Sequence, residues 1–370
     1  MSAPLRRVGF IADNCLPGFG RWQGGWGSPL ALLRGWRTGS SVAEMRFGWI
    51  AEAVGRGAWS LRYEWYRPWR RYDAVVFLKS MSGECRELAV RLRAQGVRTG
   101  FDANVDYYTP ASGRFYYEGM APTPAQRAQA IAMTQACDAV IADSSHIARQ
   151  CRPWNADVTW IPDNVDMARV PAYRPWRPGN GPVPLLWSGT AAKLVDLLAI
   201  KSVLVKHARH VRLVLVTGSL DELGQWFAGY REEFRAMLAQ VPHEFVTFRS
   251  IPELLARYAA GGVLISPRFL DNSYNLGHTE WKITLGMACG RLAFCSPVPS
   301  YADVAARSGG RGLRICANDA EWDAALDALL SGAMAPDEEL AARATVEQHY
   351  STPVVAAQHA ELLSRLLSQA

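Results

Sequence analysis

The chain has 370 residues, 49% hydrophobic and 20% charged, which is enough for two packed domains and too apolar for a disordered segment. It holds no run of eighteen apolar residues, which excludes a spanning helix, and its seven scattered cysteines lack a C-x-x-C pair, which fits a reducing compartment without disulfides or structural zinc. The net charge of +6 is uneven, with 23 Lys/Arg against 15 Asp/Glu in residues 1–180 and 17 against 19 in residues 181–370.

The start, MSAPLRRVGFIADN, has no apolar signal core and enters a first strand (7–13) directly, so a cytoplasmic protein is expected. A loop rich in Gly and Trp follows (13–41). Its GFGRWQG (18–24) formally fits G-x-G-x-x-G, but a long loop follows and no helix opens there, so it is no dinucleotide fingerprint. No G-K-[ST] occurs, which excludes a P-loop. The glycines let backbone approach a ligand, and Trp22 and Trp26 offer indole faces to a sugar or lipid acceptor. Ser40 and Ser41, with Glu44, form a helix start for residues 40–55, and Arg46 one turn in is a candidate acceptor contact.

The stretch RYEWYRPWRRY (62–72) sets arginine among aromatics. Such a surface suits an anionic membrane or a phosphorylated glycolipid, or is a solvated face. No nucleic-acid motif accompanies it. Strands over 73–79, 97–103 and 137–144 alternate with a helix over 83–96, the pattern of a parallel sheet covered on both faces. Asp102 and Asp106 close the second of these strands, where a catalytic base (Asp102) or an acceptor-hydroxyl contact (Asp106) would stand. Caps and turns use the same residues. No D-x-D pair occurs, so no metal is expected, and a diphosphate would need cations and helix N-termini.

The proline-rich segment VPAYRPWRPGNGPVP (170–184) reads as a linker. Strands then recur over 184–189, 211–218, 243–250, 262–267 and 291–297, with helices over 251–260 and 279–290 and a final amphipathic helix over 352–370. The expected organisation is a domain over 1–170, a linker over 171–183, a second domain over 184–350 and a closing helix over 351–370. Both domains are doubly wound α/β, their strand carboxyl ends facing a shared cleft.

Two motif pairs carry a family resemblance. CDAVIADSS and VTWIPDNVD resemble the D-x-V-I-x-x-S and V-I-P-N-G-V-D signatures of GT-B glycosyltransferases of the family-four-like group, with Asn164 and Asp166 matched and the usual glycine replaced, giving Asp163-Asn164-Val165. LLWSGTAAKLVDLLAI (185–200) resembles the family's F-V-G-R-…-K-G-x-D-x-L element, matched at Gly189 and Lys193, with Thr190 where arginine is usual. LGMACGRLAFCSPVPSY resembles L-E-A-M-A-C-G-x-P-V-V-A-S, but Gly277 and Leu285 stand at the two glutamate positions.

The resemblance implies a GT-B fold, two Rossmann-like domains with the last helix crossing back to the first, and transfer from a UDP- or GDP-linked sugar without a further cofactor. It implies a donor site from Gly189, Thr190, Lys193, Asn275, Gly277, His278, Glu280 and Lys282. Lys193 would neutralise the diphosphate and Glu280 would stand in for the ribose-gripping glutamate. The acceptor, a glycan or lipid-linked sugar, would lie on the N-terminal half. Retention of configuration follows from the resemblance, and inversion from Asp102 as base. A nucleotide-sugar epimerase and a degenerate binding or scaffold protein are the alternatives.

Overall fold

The structure, a computed structural model, describes residues 4–12, 41–110, 112–113, 122–177, 179–218, 220–221, 223, 228–247, 250–333 and 337–368. These fall into two compact units. One is built from residues up to 110, from 122 to 166 and from 350 onward; the other from 112–113 and from 167 to 349. Among the described residues no helix is long and apolar enough to cross a membrane.

The first unit holds one sheet of β1 (Arg6–Ile11), β2 (Leu61–Trp65), β3 (Ala74–Leu78), β4 (Arg98–Ala103), β5 (Ala139–Ala142) and β6 (Val158–Trp160), in the order β2-β1-β3-β4-β5-β6. Every pairing is parallel. The central β3 is the continuous apolar run AVVFL, buried at all five positions, as a strand covered on both faces requires. The segment read from sequence only as a basic, aromatic surface supplies β2. Leu61 and Tyr63 point inward, while Arg62 is exposed and Glu64 half-buried, so its alternating charges are the outer face of an edge strand.

The chain re-enters this unit after residue 349. The closing helix Thr352–Ser368 buries Val355, Ala356, Leu362, Leu363 and Leu366 in one cluster with Val8, Phe10, Ile50 and Val54. Asn164, matched by motif, explains how the return is fixed. Its Nδ2 donates to the Met45 carbonyl (2.8 Å) and its Oδ1 accepts from Thr352 Oγ1 (2.7 Å). Val165 and Ser351 form a parallel bridge, closed by Val165 N–H to Tyr350 O (2.8 Å).

The second unit repeats the plan with β7 (Val183–Ser188), β8 (Val211–Val216), β9 (His243–Val246), β10 (Val263–Ser266), β11 (Ala293–Cys295) and β12 (Leu313–Ile315), ordered β12-β11-β10-β7-β8-β9 and parallel throughout. Strand order reverses at β1/β3 in one sheet and at β7/β10 in the other, the crevice where doubly wound sheets bind ligands. The Gly-Met-Ala-Cys-Gly step is packing. A Cβ on Gly286 would lie 2.8 Å from Leu264 of β10, and Gly290 has φ +74 with the Tyr173 ring 2.6 Å from any added Cβ.

Candidate active site

In the second unit the switch point gathers charge. After β7 the chain runs through Gly189 and the exposed Thr190 into a 3-10 helix, Ala191–Ile200. Three residues per turn stack positions i and i+3, so Lys193 and Asp196 share a face. Both meet the loop that follows β10. Lys193 Nζ lies 2.5 Å from His278 Nε2 and 5.2 Å from the Tyr274 ring centre. Asp196 accepts from Arg268 Nη1 (2.6 Å) and from Asn275 Nδ2 (2.9 Å). An ammonium can only donate, so His278 Nε2 accepts and its proton sits on the buried Nδ1. Burial, then the charges of Arg268, Lys193 and Lys282, hold the imidazole well below its ordinary pKa, so it is neutral near pH 7.

Lys282 opens the helix Trp281–Ala288. Its Nζ lies 4.6 Å from the centre of the Trp187 ring and makes no hydrogen bond among the described residues, although it is buried. Burial, then Arg268 and Lys193, push its pKa well below that of an ordinary lysine. Gly189 leaves room for this ammonium. A Cβ there would lie 2.9 Å from the Trp187 ring and 3.4 Å from Lys282 Nζ. Three cations, Lys193, Lys282 and Arg268, therefore converge around one carboxylate, Asp196. A buried cation without a partner costs free energy that a bound anion would return. Glu280 is 1% exposed and is the residue immediately before the helix. Gly277 closes the short helix Ser273–Leu276. Beside Arg268 lies a cavity of about 240 Å³ lined by Ile200, Leu270, Ser296, Cys316 and Trp322 among others.

Arg268 and Asp196 were not among the sequence candidates. Arg268 stands two residues past the end of β10, the position that the strand-end rule singles out. Asp196 stands at the aspartate of the K-G-x-D-x-L element, three residues after Lys193, and the 3-10 pitch turns it onto Arg268.

The first unit treats its candidates differently. Arg46 and Asp102 are 1% and 0% exposed. Arg46 Nε lies 3.0 Å from both oxygens of Asp102, Nη1 donates to Asp163 (2.7 Å) and Nη2 to the Ile161 carbonyl (3.4 Å). Asp102, expected as a base, is thus a counter-ion inside the fold, and Arg46, expected to meet an acceptor, is spent on two carboxylates. Burial raises the Asp102 pKa despite the pull of Arg46. Asp106 caps a turn. It accepts from Tyr108 N–H and Thr109 N–H (3.0 Å each), Thr109 Oγ1 (2.6 Å) and His146 Nε2 (3.0 Å). Burial opposes its ionisation, but the bonds from His146 and Thr109 outweigh it and lower its pKa. Trp22, Trp26 and Ser40, and the side chain of Ser41, lie outside the described residues. Among the described residues no three His, Cys, Asp or Glu side chains are grouped to hold a metal ion.

No family model and no curated protein matches the chain. Solved structures do. A glycosyltransferase from Rickettsia africae is similar at TM-score 0.64 and 12% identity, over 99% of this chain and 100% of that one. HepE from Anabaena, solved with UDP and glucose, is similar at TM-score 0.60 and 12% identity, over 97% and 100%. Sucrose-phosphate synthase from Thermosynechococcus elongatus is similar at TM-score 0.58 and 16% identity, over 81% and 75%. With two parallel, doubly wound units and a last helix that returns to the first, the chain has the GT-B fold to which its motifs pointed.

Proposed function

We propose that this protein is a glycosyltransferase that moves a sugar from a UDP- or GDP-linked donor to a hydroxyl of a glycan or lipid-linked acceptor, in the synthesis of bacterial surface polysaccharide or glycoconjugate. One observation carries the reading. Lys282 Nζ is buried with no hydrogen-bond partner among the described residues, beside Lys193 and Arg268, at the switch point of a doubly wound sheet. A diphosphate is the anion whose charge and length such a cluster fits. The cavity beside Arg268 has room for one ring of the donor. That HepE was solved with UDP-glucose supports a UDP-linked donor.

In the reaction the bond from the anomeric carbon to the diphosphate breaks, a bond to the acceptor oxygen forms, and the acceptor proton leaves with the phosphate or to solvent. Charge grows on the departing phosphate. Lys193 and Lys282, already placed, stabilise it more in the transition state than in the ground state. Their charge serves in place of a metal. The motif resemblance favours retention, and the engagement of both Asp102 oxygens by Arg46 supports this, because inversion needs a free base. The acceptor belongs on the first unit, and the protein works in the cytoplasm.

Lys193→Ala should lower turnover by about a hundredfold or more while thermal unfolding stays within a few degrees of wild type. Turnover at the wild-type rate would remove Lys193 from the chemistry. Glu280→Ala should weaken donor binding measured by titration calorimetry; unchanged affinity would reduce Glu280 to a lead-in residue of its helix.

A further inference from the structure

The outer face of β2 and the turn after it carry charge and indole that glycosyl transfer does not use. Glu64 is approached by three guanidinium groups, from Arg70 at 2.8 Å, Arg62 at 3.6 Å and Arg7 at 3.7 Å. Next to them, Arg6 pairs with Asp73 at 2.8 Å. Arg67 and Arg71 have no carboxylate partner among the described residues. Six arginines therefore share two carboxylates on one edge of the sheet. In the middle of this surplus stands Trp69, 62% exposed and the most exposed large apolar side chain described.

The indole is not on a loose loop. Arg70 N–H donates to the Arg67 carbonyl (3.0 Å) and Arg67 N–H to Tyr72 Oη (2.9 Å). Tyr66 and Tyr72 pack ring to ring at 5.1 Å, and both lie 3.1 Å from where a Cβ on Gly9 would be. Gly9 lets the two rings settle on β1, and the rings fix the turn that lifts Trp69 outward. Exposing an indole on a rigid turn costs hydrophobic free energy unless something covers it.

We infer that this face docks on an anionic lipid bilayer, with Trp69 seated at the headgroup level and Arg62, Arg67 and Arg71 facing lipid phosphates. Tryptophan prefers the membrane interface because its ring is apolar and its N–H polar. Arginines beside it gain from the negative surface potential of such a leaflet. The inference stands whether or not the second unit binds a nucleotide sugar.

The test is co-sedimentation of the full chain with vesicles of phosphatidylcholine alone and of phosphatidylcholine mixed with phosphatidylglycerol. Binding should require phosphatidylglycerol and fade as added salt shortens the Debye length. Each basic residue near an anionic surface adds roughly fivefold to binding, so R62Q/R67Q/R71Q should lower the partition coefficient about a hundredfold. Trp69→Ser should lower it several-fold and leave the salt dependence in place. Both variants should unfold at the wild-type temperature; should the triple variant not fold, Trp69→Ser and the salt series on wild type decide. Equal binding to both vesicle types, no binding to either, or variants that bind like wild type would overturn the inference. Binding to single-stranded DNA as tight as to anionic vesicles, unaltered in Trp69→Ser, would do the same and mark a general polyanion surface.

Discussion

Lys282 carries a cost that Asp196 offsets only in part, because burial, Arg268 and Lys193 all oppose its charge. Its ammonium is buried, lacks a hydrogen bond among the described residues and faces two other cations. Lys282→Met keeps the stem over Trp187 and removes the charge, so it should raise the melting temperature by about 2–4 °C for each ~1 kcal/mol recovered. The same variant should lose nucleotide binding. A less stable variant would mean that the charge is already compensated in the free protein. The sign of the pH effect on binding follows from the depressed pKa. A dianion favours the protonated lysine, so affinity falls as pH rises above the free protein's Lys282 pKa, which burial holds below the ordinary lysine range. Calorimetric affinities across a pH series read that fall directly.

His359 shows the opposite use of burial. It is 0% exposed on the closing helix, both ring nitrogens lack hydrogen bonds among the described residues, and burial together with Arg46 lowers its pKa to about 3. The unfolded chain titrates near 6.5, so between pH 6.5 and 3 it binds more protons than the folded one. Stability present above pH 6.5 is lost as pH falls, by up to about 1.4 kcal/mol per pH unit. His359→Leu should flatten that acid limb in denaturant titrations at pH 7 and pH 5. An unchanged slope would place the acid sensitivity elsewhere.

At the scale of elements, most of the secondary structure was legible and most of the site contacts were not. Strands such as AVVFL announce themselves because both faces are buried, and the closing helix does so through its apolar spacing. β2 was missed because an edge strand needs only one apolar face, and its charges looked like a surface. Motif matching placed Lys193, His278 and Lys282 in one region. It could not foresee that the 3-10 pitch of Ala191–Ile200 would turn Asp196 onto Arg268, nor that Asp102 would be held by an arginine 56 positions away. Both depend on side-chain direction across distant segments. The Arg46–Asp102–Asp163 group belongs to the fold, so Asp102→Asn should destabilise the first unit by about 3–5 kcal/mol, as losing one side of a buried pair does. Chemical denaturation of the variant measures this. A drop in turnover at unchanged stability would instead restore Asp102 as a base.

For the whole molecule, charge is divided as function would have it. The first 180 residues hold the arginine excess, and the second half is close to neutral apart from one inward-facing cationic cluster. A surface excess suits a large anionic partner, and a buried cluster suits a small one. The central claim is that the buried cluster receives a nucleoside diphosphate. Titration calorimetry of UDP and GDP, each alone and as its glucose or mannose conjugate, into the full chain tests it most directly. One of them should bind saturably at one site, and Lys282→Met should abolish the binding without unfolding the protein. Absence of heat from all of them, or binding that survives Lys282→Met unchanged, would contradict it.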